Sequence, residues 1–302
     1  MLGGRAPAPA LPDGRGMLIL SNPGSGSRDD AIDALESRLP GAEILEPDPN
    51  GDFAEHLEEH IRRTRPRALG VCGGDGSIVC VAESALTHDL PLAVFAGGTL
   101  NHFARDAGVA DFELTAEAVE NGEASRVDLA YVVVDGKQRV SFVNTATFGG
   151  YPDSVRLREK LEGRVGKWPA AAIAMVRVLA RAEPMRITLD GRTMSVWMLF
   201  VGNGRYAPTD QVPMSRPSIA SGTLDVRYLP STPFLSRTRL VLAALTGTLG
   251  ISSTYVHSAQ RDLTVSVDGP DVALATDGEV TADGQDFEFS MNECGLVLYR
   301  AR

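Results

Sequence analysis

The residues that could do chemistry are gathered first in three glycine-rich turns. They are Asn22-Pro23-Gly24-Ser25-Gly26-Ser27, Gly73-Gly74-Asp75-Gly76-Ser77 and Gly97-Gly98-Thr99-Leu100-Asn101. Each follows a short apolar run that reads as a strand, and each precedes a helix start. Where glycine leaves the backbone bare, amide N–H groups and positive helix ends can converge on an anion, most naturally a polyphosphate. One such turn needs no ligand, because glycine also serves any tight turn. Three of them at the carboxyl ends of parallel strands point to a nucleotide site.

The elements that must hold these turns can be read from residue 17 onward. Short apolar runs alternate with amphipathic stretches: MLILSN, then Asp29 to Leu39, AEILEP, Phe53 to Arg63, ALGVCGG, Ile78 to Leu86 and PLAVFAGG. Runs such as ALGVC and LAVFA show no alternation, which suits strands buried on both faces, with the helices as crossovers of a parallel sheet. Residues 17–124 are therefore expected to form a doubly wound α/β domain. After Arg126 the texture changes to period-two β segments punctuated by Gly and Asp-Gly, including RVSFVNTATFG, LTVSVDG and FEFSMNECGLVLYR. Residues 125–302 are expected to form a mostly antiparallel β domain, with helical insertions at 169–181 and 234–249. The last strand is a candidate to pair back onto the first domain.

Composition narrows the class. A chain of 302 residues with 43% hydrophobic and 23% charged content can bury a large core and favours two domains. Residues 1–16, rich in Pro, Gly and Ala, lack the apolar core of a secretory signal and read as a flexible lead-in to a cytoplasmic protein. No stretch reaches the roughly 18 uncharged apolar residues of a spanning helix. Three cysteines without C-x-x-C spacing, Cys72, Cys80 and Cys294, suit a reducing compartment. The net charge of −10 argues against nucleic acid, but it is uneven: residues 1–124 carry 21 acids and 9 bases, and residues 125–302 carry 18 acids and 20 bases.

No Walker A lysine motif, G-x-G-x-x-G fingerprint or H-R-D loop is present. His56-Leu57-Glu58-Glu59-His60 fits a five-residue zinc-peptidase pattern, yet Phe53, Leu57 and Ile61 give the buried stripe of an ordinary helix. No protein-bound metal is expected there.

In order and spacing, NPGSGS, GGDGS and GGTLNHFAR, with a late Asp277-Gly278-Glu279, resemble the diacylglycerol kinase catalytic family. GGDG alone also occurs in NAD kinases and phosphofructokinases; the GGTLN turn separates this resemblance from those. It implies a fold of the NAD kinase/diacylglycerol kinase type and an ATP-dependent, Mg²⁺-assisted kinase for diacylglycerol or a similar lipid. It implies that Asn22, Pro23, Gly24, Ser25, Gly26, Gly73, Gly74, Gly76, Ser77, Gly98, Thr99 and Asn101 hold the nucleotide and that Asp75 lies near the transferred phosphoryl group. It further implies that Glu279, supported by Asp277, is the general base. A strand-borne Glu two residues from an Asp would share its face, although the triplet also reads as an Asp-Gly turn between two strands.

The sequence departs from the family pattern in places. Ser77 stands for threonine, Cys80 for a frequent acid and His102 for a common aspartate. Ser221 replaces the aspartate of a turn that helps hold a structural Mg²⁺ in many members, and no metal ligand is assigned there. Rivals to a lipid kinase are a nucleotide-binding protein with little catalysis and a kinase for a soluble acceptor. For reaching a lipid, the most basic stretch is suggestive: from Arg156 to Arg186 eight basic residues face three acids around Trp168, Ala172, Met175, Val176 and Leu179. It suits a segment lying in a bilayer interface, so residues 156–186 are the expected membrane contact of a peripherally associated protein.

Overall fold

A computed structural model describes residues 4–22, 28–46, 52–97, 101–149, 183–209, 213, 215–231, 238–239 and 255–301. Two units emerge: Met1–Leu129 with Ser218–Ser221 and Asn292–Arg302, and Ala130–Pro217 with Gly222–Met291.

In the first unit the apolar runs become β2 (Met17–Asn22), β3 (Glu43–Leu45), β4 (Ala68–Gly73) and β5 (Leu92–Ala96), after a short β1 (Arg5–Pro7). All of β4 and all but the last residue of β2 are buried, as expected of strands covered on both faces. Between them lie α1 (Arg28–Arg38), α2 (Phe53–Thr64) and α3 (Asp75–Thr87), followed by α4 (His102–Ala107) and α5 (Phe112–Asn121). Helix starts follow their caps: the Asp52 carboxylate accepts from the Ala54 and Glu55 amides, and that of Asp111 from Leu114 N–H.

The parallel pairs β3·β2, β2·β4 and β4·β5 set the strand order β3-β2-β4-β5. From β2 the chain goes first to one side, to β3, and then crosses to the other, to β4. The order therefore reverses between β2 and β4, and open α/β sheets bind their ligands at the carboxyl ends of strands beside such a reversal.

The expected flexible lead-in is instead part of this unit wherever it is described. β1 pairs with the start of β6 (Glu123–Val134) through Arg5–Ser125, Ala6–Ala124 and Pro7–Glu123. Ala6 and Leu11 are buried, Leu11 N–H donates to Val119 O, and Tyr299 Oη donates to Pro9 O at 2.7 Å. Burial pushes the Tyr299 phenol well above its usual range. Leu11→Ala should cost about 2–5 kcal/mol in chemical denaturation, because Leu11 is fully enclosed; a cost under about 1 kcal/mol would mean the segment is loosely held. The boundary also moves. β6 runs unbroken through residue 125, so no linker stands there, and residues 218–221 and 292–302 return to the first unit.

The second unit contains the end of β6 and β7 (Gln138–Phe142), β8 (Thr145–Gly149), β9 (Met185–Leu189), β10 (Arg192–Asn203), β11 (Leu224–Pro230), β12 (Val256–Gln260), β13 (Leu263–Asp268), β14 (Val272–Thr276), β15 (Glu279–Gly284) and the start of β16 (Asp286–Tyr299). The pairs β10·β11, β10·β8, β10·β9, β11·β12, β13·β16, β13·β9, β14·β15, β14·β8 and β6·β7 are all antiparallel. Period-two alternation is plain in β13, where Leu263, Val265 and Val267 are buried and Thr264 and Asp268 exposed. Phe148, Phe287 and Phe289 pack edge to face in its core, with ring centroids 4.4 and 5.9 Å apart. The end of β16 belongs to the first unit, where Leu298 pairs in parallel with Leu92 of β5.

The insertion at 169–181 lies outside the described residues, as does that at 234–249 apart from 238–239. Of the basic segment, residues 156–182 lie outside them too. Arg186 belongs to β9, where it pairs with Asp268 at 2.9 Å. Among the described residues no helix is long and apolar enough to cross a membrane.

Candidate functional site

At the carboxyl ends of β2 and β4, on either side of the strand-order reversal, Asn22 Nδ2 donates to Ser77 Oγ at 3.1 Å. This bond ties the first turn to the second. The glycines of the second turn divide into two kinds. A Cβ on Gly73 would come within 3.0 Å of Asn22 O and of Ser77 Oγ, so Gly73 is glycine because the backbone is crowded. Gly97, at the end of β5, is crowded likewise, its Cβ reaching 3.1 Å from Cys72 Sγ and Gly73 N. Gly74 and Gly76 are the opposite: an added Cβ would meet nothing within 4 Å.

That open space lies over the start of α3. Gly74 is the N-cap of this 13-residue helix and has no side chain to occupy its first amides. Charge and hydrogen-bonding sense at this positive helix end suit an anion such as a phosphate. Asp75, half-buried, is the first residue of the same helix. A carboxylate beside a polyphosphate is repulsive unless a divalent cation neutralises both, which suits nucleotide accompanied by Mg²⁺. Asn101, with φ 38°, is the N-cap of α4. Arg105 Nη2 lies 3.4 Å from His102 Nδ1, so the histidine at the family's common aspartate position stands beside a guanidinium. Cys80 lies on α3, and burial, with Glu83, Asp52 and Glu58 nearby, pushes its thiol up to about 11. It is neutral at ordinary pH and supplies neither the charge of an acid nor a thiolate. Pro23, Gly24, Ser25, Gly26, Gly98 and Thr99 lie outside the described residues.

In the second unit, Asp277 and Gly278 join β14 to β15 with φ of 50° and 93°, the left-handed pair of a two-residue hairpin turn. Asp277 thus lies in the turn and not on a strand, so it and Glu279 do not share a strand face. Its carboxylate does something the sequence did not disclose. Oδ2 accepts from Val143 N–H at 2.9 Å, and Oδ1 from Asn144 N–H at 2.8 Å and Thr145 N–H at 2.9 Å. Asp277 N–H in turn donates to Thr145 O at 2.8 Å. The hairpin turn is pinned to residues 143–145, and Glu279, the first residue of β15, is presented exposed from that anchored base.

The turn around Ser221 is unsuited to a hard cation. Ser218, Ala220, Ser221 and Gly222 bring no carboxylate, and the nearby Asp225 is engaged by Arg227 through Nε at 2.9 Å and Nη2 at 2.8 Å, with both residues buried. Asp225 also accepts from Tyr206 N–H. This i, i+2 pair on β11 was legible in principle from period two. In the zinc-like pentad, Leu57 is buried and Glu58 accepts from Ser84 Oγ at 2.9 Å and meets His88 Nε2 at 2.8 Å, so the carboxylate serves to join α2 to α3.

The chain is similar to known proteins in both sequence and fold. Residues 16–132 match the diacylglycerol kinase catalytic domain. Two Pseudomonas aeruginosa proteins, each described as a "probable lipid kinase YegS-like", are 30% identical. The one from strain UCBPP-PA14 aligns over 75% of this chain and 74% of its own length. The one from strain PAO1 aligns over 83% and 82%. A structure described as a diacylglycerol kinase of Bacillus anthracis strain Sterne superposes with a TM-score of 0.64 at 18% identity, covering 94% of this chain and 96% of the other, which shows a shared fold. With identity sustained over most of both lengths and the catalytic-domain match over residues 16–132, the chain belongs to the diacylglycerol kinase catalytic family, among its lipid kinases.

Proposed function

We propose that this protein transfers the γ-phosphoryl group of ATP to a hydroxyl of diacylglycerol or a similar lipid at a membrane surface. The observation that carries the nucleotide half is the open space over Gly74 and Gly76 at the uncapped start of α3, beside the reversal in strand order. The lipid half rests on the family.

In this reading the phosphates lie on the amides after Gly74, with Asn22, Gly73, Gly76, Ser77 and Asn101 shaping the surrounding backbone and Asp75 beside the transferred group. By the family resemblance alone, Pro23, Gly24, Ser25, Gly26, Gly98 and Thr99 are proposed to bind the same nucleotide. Mg²⁺ arriving with the nucleotide would neutralise charge on the phosphoryl group in flight. Glu279 takes the proton of the acceptor hydroxyl as its oxygen bonds to the γ-phosphorus and the γ-phosphorus–oxygen bond to the β-phosphate breaks, ADP leaving with the electron pair, because an alcohol is a weak nucleophile while it keeps its proton. Asp277 holds the turn that presents Glu279.

Within the basic stretch 156–186, from which Arg186 is taken up by β9, the remaining basic side chains are proposed to meet anionic headgroups of a bilayer. Reversing Arg156, Arg158, Arg164 and Lys167 together should weaken sedimentation with anionic liposomes at least about tenfold, since each cation near the surface is worth about 1 kcal/mol. Unchanged binding would remove this segment from the account.

The acceptor class is tested by offering lipids in mixed micelles and water-soluble alcohols, including sugars and NAD, side by side with ATP and Mg²⁺. Labelled product confined to the lipid phase supports the reading. Label confined to a soluble acceptor would replace it with a soluble-substrate kinase.

A further inference from the structure

We propose that Arg216 is a positioning residue for Glu279, acting through a peptide group; the inference rests on the reading of Glu279 as the base. Arg216 is 3% exposed. Its Nη1 donates to Val143 O and to Asn203 O at 2.9 Å, and its Nη2 donates to Asn144 Oδ1 at 2.8 Å. Val143 O and Asn144 N–H are the two ends of one peptide group. The guanidinium therefore holds the oxygen end of the group whose N–H end donates to Asp277 Oδ1. A cation at the carbonyl polarises the amide and strengthens the hydrogen bond it donates at the other end.

The next peptide group is held in the same way. Asn144 O accepts from Tyr206 Oη at 3.1 Å and from Asn203 N–H at 2.9 Å, while Thr145 N–H donates to the same Asp277 oxygen. Asn203 Nδ2 adds a second donor to Val143 O. Residues 143–145 thus form a clamp: donors from Arg216, Asn203 and Tyr206 on the carbonyl side, Asp277 on the amide side, and beyond Asp277 the turn that ends at Glu279. Burying a guanidinium carries a desolvation cost that an apolar side chain does not. What it adds here is a rigid fork of donors that sets the orientation of those peptides, and reaction rates fall steeply when a reacting group is displaced by even about 1 Å.

The test is a double-mutant cycle in the full chain, reading kcat and the KM for ATP with diacylglycerol in mixed micelles for wild type, Arg216→Lys, Glu279→Gln and the double variant. Arg216→Lys should lower kcat about ten- to a hundredfold with the KM for ATP unchanged. In the Glu279→Gln background the same substitution should have almost no further effect, because the group it positions is gone. A merely structural role would give equal fold-losses in both backgrounds, and that result, or a kcat within about twofold of wild type, would overturn the inference. If Glu279→Gln turns over like wild type, the reading of the base falls first, and this inference with it. Asn144→Ala, which removes the Nη2 acceptor, carries the same two expectations if Arg216→Lys does not fold.

Discussion

Glu279→Gln is expected to lower kcat for lipid phosphorylation by about a hundred- to ten-thousandfold, the range for losing a positioned general base. ATP binding and thermal stability should stay as they are. Glu279 is an exposed residue at the start of a strand, glutamine has nearly its shape, and surface changes of this kind move stability by about 0.5 kcal/mol at most. The contrast between a lost rate and an unmoved melting curve separates a proton acceptor from a structural carboxylate. Turnover within a fewfold of wild type would mean that another group takes the proton.

Gly74→Asp is expected to act with opposite signs on folding and on nucleotide binding. Gly74 has φ −85° and ψ 180°, a backbone any residue adopts, and its missing Cβ faces open space. An aspartate at this N-cap would accept from the amides of the first turn of α3 and place a negative charge at the helix's positive end. Both effects favour the empty protein, by a few tenths of a kcal/mol for the cap and about 0.3–1 kcal/mol for the charge. The same carboxylate would occupy the donors proposed for a phosphate and repel it, which at about 4 Å and an intermediate dielectric amounts to about 4 kcal/mol. ATP affinity should fall at least about a hundredfold while the melting temperature holds or rises. Calorimetric titration and thermal unfolding on one preparation give both numbers. Unchanged ATP affinity would place the phosphates elsewhere.

What could be read from the sequence was what local pattern controls. β2, β4 and β5 appear as unbroken apolar runs because both their faces are buried, and α2 appears between them as an amphipathic stretch with Leu57 and Ile61 on its buried side. The second turn was legible for the same reason: glycine at 73, 74 and 76 answers to crowding or to open space within a few residues. The first residues were misread because their Pro and Ala composition is that of a loose tail. What orders them is distant, in the Tyr299 hydroxyl on Pro9 O and in the enclosure of Leu11.

The anchoring of Asp277 was hidden in the same way. Its partners lie 132–134 residues earlier, at Val143, Asn144 and Thr145, and those donors are backbone amides that carry no sequence signature. Arg216 was overlooked because a single arginine in a polar stretch looks solvated, and only tertiary structure shows it enclosed. The Arg227–Asp225 pair could have been found: two opposite charges at i and i+2 in LDVRYLP fall on one face of a strand that is otherwise apolar.

The most direct measurement is transfer of label from γ-labelled ATP with Mg²⁺ to diacylglycerol in mixed micelles by the wild-type protein, followed by chromatography of the lipid phase. Labelled phosphatidic acid that accumulates with time and disappears when Mg²⁺ is chelated is the expected outcome. A protein that binds ATP, yet leaves diacylglycerol and every other lipid hydroxyl unlabelled, would contradict the account.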